Sequence, residues 1–309
     1  MKKELLFDLK SPYRSNFQIH GFRFGEGKKT VAIVGAMRGD EVQQQFICSQ
    51  LVKNLIEIEK KGLIRKGHEI LVIPSVNHYS MNINKRFWAM DNTDINRMFP
   101  GYGKGETTQR IAAALFEVIK GYKYGIHLAS YYLRGEFIPH IRVMDTGFRY
   151  SETAQSFGLP YVLLSEPTFY DTTLLNYNWQ IFGTQAFTVY SSNTDSINKD
   201  SAKIAWKSIL RFMDKNRIIK YKMHPGYVSS VINEKSMHNI VSNHGGILYL
   251  KKLANKEVKA GDLLAKILDP YDGSLRSEIV APVSGVIFFA LQSPLVSQNT
   301  LIYRMVKYI

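Results

Sequence analysis

The chain changes its periodicity once, near residue 222, and that change limits the folds open to it. Upstream, short β-branched runs alternate with amphipathic stretches. Residues 30–34 (Thr-Val-Ala-Ile-Val) read as a strand ending at Gly35, and residues 41–60 read as a helix because Phe46, Leu51, Leu55 and Ile58 recur at helical spacing. Strands over 69–74, 124–129, 161–164 and 187–190, with helices over 109–120 and 201–216, continue the alternation. Such a pattern predicts an α/β fold: a mixed, mainly parallel sheet with helices on both faces and ligands gathered at the carboxyl ends of its strands. Downstream, short strands are punctuated by Gly and Pro, as in Ala260-Gly261-Asp262 and Ala281-Pro282-Val-Ser-Gly285, and these predict a small all-β unit. The expected division is therefore 1–222 and 223–309.

Composition excludes several classes. At 309 residues and 45% hydrophobic, the chain can bury one large core or two unequal ones. Its apolar runs are far short of the roughly 20 residues of a membrane helix, and Met1-Lys-Lys-Glu-Leu-Leu-Phe-Asp8 has an acid where a secretory signal would continue its apolar stretch. A cytoplasmic protein with no membrane partner is expected. The single cysteine, Cys48, excludes an internal disulfide and a thiolate zinc cluster, and it sits in a helical stretch as a buried thiol. The net charge of +14 is spread over both parts without a basic block or a nucleic-acid motif, which fits a small anionic substrate better than nucleic acid. Homo-oligomerisation is compatible with all of this.

Four constellations of polar residues fall at or near the predicted strand ends. Gly35-Ala-Met-Arg38-Gly-Asp-Glu41 is a strand-to-helix loop carrying a carboxylate and a guanidinium. Arg86-Phe-Trp88, followed by Asp91-Asn-Thr-Asp94-Ile-Asn96-Arg97-Met-Phe-Pro-Gly101, pairs a planar guanidinium with an adjacent amide, a combination suited to two parallel charge-assisted bonds to a carboxylate. Asp94 is positioned in sequence to orient Arg97. Tyr124-Gly125-Ile-His127 places an imidazole at a strand end, and Phe187-Thr-Val-Tyr190 a phenol. His140 and Arg142, then Glu166, follow as further groups within reach of a cleft, and His78 is a weaker candidate.

Over roughly residues 20 to 300 these motifs resemble the succinylglutamate desuccinylase and aspartoacylase family of zinc carboxypeptidase-like hydrolases. The resemblance implies a carboxypeptidase-like α/β domain with a C-terminal unit in the style of a barrel-sandwich hybrid. In the latter, the turn Asp269-Pro-Tyr-Asp-Gly-Ser274 lacks the lysine that a carrier domain would modify. It also implies a metal-dependent amide hydrolase acting on an N-acyl amino acid or small peptide-like substrate, with Glu41 and His127 as metal ligands. Arg86, Asn96 and Arg97 would hold a carboxylate-bearing substrate, and Tyr190 falls at the position of the catalytic glutamate. By their own chemistry Arg38, which pairs with Glu41 or with a substrate carboxylate, and Arg142 are further substrate-binding candidates, and Glu166 is a candidate displaced acid for catalysis.

The chain departs from the family pattern where the zinc chemistry lies. The family loop reads Gly-x-His-Gly-x-Glu, but its histidine position is Arg38, a permanent cation without a lone pair to donate. Gly125 replaces an aspartate beside the third ligand, and Tyr190 replaces the catalytic glutamate. Zinc is thus implied by the family and opposed by Arg38. The alternative is a non-catalytic descendant that binds a small carboxylate without zinc.

Overall fold

The computed structural model of the protein describes residues 1–13, 15–148, 150–191 and 196–308. In chain order these form β1 (Lys2–Leu9), β2 (Phe17–Phe24), β3 (Gly27–Ala36), α1 (Val42–Lys60), β4 (Gly67–Ser75), α2 (His78–Met81), α3 (Thr107–Ile119), β5 (Tyr124–Ala129), β6 (Gly135–Phe137), β7 (His140–Met144), α4 (Ser151–Gln155), β8 (Tyr161–Ser165), α5 (Leu175–Ile181), β9 (Gln185–Tyr190), α6 (Lys199–Lys215) and β10 (Ser230–Asn233). The remaining strands are β11 (His238–Val241), β12 (Gly246–Leu250), β13 (Glu257–Val258), β14 (Leu263–Leu268), β15 (Leu275–Val280), β16 (Gly285–Leu291), β17 (Leu295–Val296) and β18 (Leu301–Lys307).

The first unit comprises Met1–Ser130 and Pro139–Ile232. It is built on a nine-stranded sheet in the order β1-β2-β4-β3-β5-β9-β7-β8-β10. The segment β4-β3-β5-β9 is parallel throughout, as the strand-helix alternation predicts. Strand β7 then pairs antiparallel with β9, and β8 parallel with β7. Strands β7 and β8 are therefore reversed relative to the parallel core, as is β2, which pairs antiparallel with β4 on the other side.

Alternate residues of the central strands face opposite layers, following the period of two along a strand. Val31, Ile33, Ile126, Leu128, Phe187 and Val189 pack with Leu51 and Leu55 of α1 and with Ile209 and Phe212 of α6. Ala32, Val34 and Ala186 face Ile111 and Leu115 of α3 and Trp179 of α5. The residues between these on β5 and β9, including His127 and Thr188, extend that second face toward the carboxyl ends.

The second unit comprises Tyr131–Ile138 and Asn233–Ile309. Its two sheets have the orders β11-β18-β16-β13 and β15-β14-β12-β17, and β6 joins the first by pairing with β16. The β-rich C-terminal part is as expected. The participation of 131–138 is not contained in the 223–309 reading, because a three-residue strand carries too little pattern to reveal its partner. The turn after β14 is an exposed hairpin in which Arg276 pairs with Asp269.

Candidate functional site

The site grows from the loop that joins β3 to α1. Glu41 stands at the amino end of α1 but makes no side-chain cap. Its carboxylate turns back instead: Oε2 accepts the Met37 and Arg38 backbone N–H groups at 2.8 and 3.1 Å, and Oε1 accepts from Arg38 Nη1 at 3.1 Å and Ser130 Oγ at 2.5 Å. A carboxylate offers about four lone-pair sites, so these four donors fill it. Burial works to raise the pKa of this fully buried group, but the Arg38 guanidinium and the hydrogen bonds outweigh it and hold the carboxyl below its usual range.

Arg38 is itself buried and is held on its other edge by Asp94, whose Oδ2 accepts from Nε at 3.1 Å and Nη2 at 2.8 Å. Asp94 thus orients Arg38 and not Arg97 as the sequence suggested. The reason is electrostatic: a buried guanidinium must find carboxylates, and two flank it here. Arg97 instead lies partly exposed, its Nη1 donating to the Tyr170 carbonyl and standing 3.6 Å from Asp171. Burial works against the Asp171 carboxylate, but its hydrogen bonds to Thr168 and the charges of Arg142 and Arg97 lower its pKa. Arg97 and Arg142 therefore both act on one carboxylate.

Arg86 pairs with Asp40 at 2.6 Å and reaches Ser130 Oγ at 3.3 Å, which ties its loop to the end of β5. Asn96 is buried in a one-turn helix capped by Asp94, and its Oδ1 accepts from the Leu175 N–H at 3.4 Å.

His127, Thr188 and Arg142 occupy one cross-strand row over β5, β9 and β7. His127 is 2% exposed and its Nε2 has no hydrogen-bond partner among the described residues. Burial lowers its pKa to about 4, so the ring is neutral near pH 7. Tyr190 ends β9, buried, with its ring stacked 4.9 Å from that of His140. Because β7 is reversed, His140 begins its strand where β9 ends, and the two meet.

Glu166 does not join this group. It is exposed and follows β8, which runs toward the amino ends of β3, β5 and β9. His78 stacks on Phe17 at 4.8 Å within an aromatic cluster. Cys48 is buried in the α1 core and burial pushes its thiol well up. Two further residues belong to the site: Ser130 completes the Glu41 shell, while Asn176 Nδ2 donates to Thr188 Oγ1 at 2.9 Å, its Oδ1 is buried without a hydrogen bond of good geometry among the described residues, and the side chain interacts with the His127 ring. Ser130, a lone serine outside any motif, gives no signal in the sequence, whereas Asn176 stands in the aromatic and amide run Asn176-Tyr-Asn-Trp-Gln180, which can wall a pocket.

Residues 27–215 match the family model described as the succinylglutamate desuccinylase/aspartoacylase catalytic domain. The chain belongs to this family. No curated protein matches it at the sequence level. Among solved structures, a succinylglutamate desuccinylase from a Silicibacter species is 18% identical over 98% of this chain and 93% of its own, with a TM-score of 0.82. The product-bound ectoine utilization protein of Ruegeria pomeroyi is 17% identical over 95% and 90%, with a TM-score of 0.81. An aspartoacylase family protein from Mesorhizobium loti is 20% identical over 100% and 99%, with a TM-score of 0.77. These likenesses extend the shared fold to both units.

The desuccinylase/aspartoacylase family consists of amide hydrolases, and its zinc can be tested against the residues present. They do not fit it. Among the described residues no three His, Cys, Asp or Glu side chains converge as a metal site. Glu41 has no lone pair to spare, and the Arg38 guanidinium stands between it and Asp94. Gly125, where the family has an acid, is closed by packing: a Cβ there would lie 2.6 Å from the Trp179 ring, which is fully buried.

Proposed function

We propose that this chain binds a small carboxylate-bearing ligand at the ends of β3, β5 and β9 without a metal ion. The observation that carries this reading is the Arg38 guanidinium, bonded to both Glu41 and Asp94 where the family motif has a histidine. A fixed cation there compensates the buried carboxylates that a metal would otherwise serve, and it cannot activate a water molecule. Recognition of the ligand falls to Arg97, with Asn96 and Arg142 beside it. That Arg97 and Arg142 already lower the pKa of one carboxylate, Asp171, supports this assignment. Arg38 and Arg86 act as organisers of the loops, since their guanidinium groups are engaged by Asp94, Glu41 and Asp40.

The test is elemental mass spectrometry on untagged protein, followed by calorimetric titration with N-acyl amino acids and their parent acids. The expected result is less than a tenth of a zinc per chain, with saturable binding that Arg97→Gln weakens about tenfold or more through loss of a charge-assisted pair. The second reading, amide hydrolysis of an N-acyl amino acid or small peptide-like substrate, is favoured by one observation. His127 is neutral and, Asn176 beside it apart, its Nε2 has no hydrogen-bond partner among the described residues, the state in which imidazole can ligate a metal. About one zinc per chain, lost on His127→Gln, would replace the first reading by this one.

A further inference from the structure

On the opposite face of the sheet from Trp179, α6 borders a cavity of about 400 Å³ within the first unit. Its volume lies in the range of small-ligand sites, about 300–1,000 Å³. Lys203, Lys207 and Arg211 line it from α6, with His224, Tyr227 and Leu159 across from them, and no acidic residue among the described residues lines it. The four-residue spacing sets the three cations on one helix face at intervals of about 6 Å. Like charges so placed repel, and none of the three has an ion-pair partner among the described residues. Lys207 has only the Trp206 ring, 5.7 Å from its Nζ.

Arg211 is built into the fold. Its Nε donates to the His224 carbonyl and its Nη1 to the Phe157 carbonyl, both at 2.6 Å. Two glycines in the left-handed region, Gly158 at φ 63° and Gly226 at φ 79°, let two loops close on this side chain. A Cβ on Gly226 would lie 2.8 Å from Arg211 Cζ, and one on Gly158 2.9 Å from its Cδ. The guanidinium is thus fixed by neutral carbonyl oxygens, which orient it without cancelling its charge, and Nη2 has no hydrogen bond among the described residues. His224 Nδ1 accepts the Gly226 N–H at 3.2 Å, which makes Nε2 the donor of the neutral ring.

We propose that this pocket binds a small ligand carrying two or more linked phosphates, a nucleoside diphosphate being the form that also fills its apolar side. A single carboxylate reaches one or two of cations spaced along two turns of helix. An anion charged at two centres reaches all three, and the planar fork of Arg211 suits phosphate oxygens. The exposed Tyr227 ring, beside Leu159, offers a face for an aromatic base.

The experiment is calorimetric titration of the full chain, in low-salt buffer free of phosphate, with pyrophosphate and with ADP. Both bind saturably and ADP binds more tightly. The Lys203→Gln/Lys207→Gln variant, which takes from the fold only the contact of Lys207 with the Trp206 ring, weakens both by about tenfold or more. Tyr227→Ala weakens ADP and leaves pyrophosphate unchanged. Arg97→Gln leaves both unchanged, which separates this pocket from the carboxylate site at the strand ends. No saturable heat with either ligand up to about 10 mM, or undiminished affinity in the double-lysine variant, overturns the proposal. Loss of ADP binding on Arg97→Gln, or binding of a polyglutamate peptide in place of ADP, overturns it equally.

Discussion

Arg38 and Glu41 form a pair that neither partner can leave cheaply. Replacing Arg38 with Gln strands a fully buried carboxylate, and breaking a buried pair in this way costs about 3–5 kcal/mol. Urea denaturation at pH 7 measures it, and a loss below about 1 kcal/mol would mean the pair is no better than a surface ion pair. Arg38→His should instead restore a donor beside Glu41 and His127, and equilibrium dialysis should show more zinc bound per chain than by the parent. His127 adds a pH dependence. Its folded pKa of about 4 lies below the unfolded value of 6.5, so between these the unfolded chain binds the extra proton. Stability is therefore full above about pH 6.5 and falls by about 3 kcal/mol toward pH 4. His127→Gln should flatten that slope in a series of urea melts, and an unchanged slope would refute the assignment. At this scale the sequence was legible in part. That Arg38 cannot ligate a metal follows from its chemistry, and the Asn96-Arg97 motif from its neighbours. The partnership of Arg38 with Asp94 does not, because 56 residues separate them and only folding brings them together.

Among the elements, β5 and α5 meet more closely than a side chain allows. Gly125 admits the Trp179 ring, whose Nε1 donates to the Ile119 carbonyl at 3.3 Å. Gly125→Ala should cost about 1–3 kcal/mol by overpacking. Trimming the ring in a Gly125→Ala/Trp179→Leu double variant should cost less than the sum of the single changes, a coupling that a double-mutant cycle in thermal melts would measure. Additive losses would place the strain elsewhere. The glycine was visible in the sequence as a departure from the family motif, but its cause lay in a helix 54 residues on, outside any local pattern. The parallel strands β3, β4, β5 and β9 were likewise legible from their β-branched runs and the helices between them. The reversal of β7 and β8 was not, since a short buried strand reads the same in either direction. That reversal is why His140 reaches Tyr190 while Glu166 is carried away.

For the whole molecule, the switch from alternating helices and strands to closely spaced turns marked the two units, and it did so because the two architectures have different periods. What it did not mark is β6, which leaves one unit in sequence to serve the other in space. Phe137, Glu136 and Gly135 pair with Phe289, Ala290 and Leu291 of β16. A fragment starting at residue 233 should therefore expose the edge of β16 and aggregate. Fusing residues 131–138 to it through a flexible linker should restore a monomer in sedimentation velocity, and equal behaviour of the two fragments would show the edge to be harmless. The same pairing also sets a schedule during synthesis. Roughly 150 residues separate β6 from its partner, so at about 5–20 residues per second the ribosome delivers β16 about 8–30 seconds after β6. For that interval β6 is a strand without its partner, while β7 to β10 of the larger sheet are still being made.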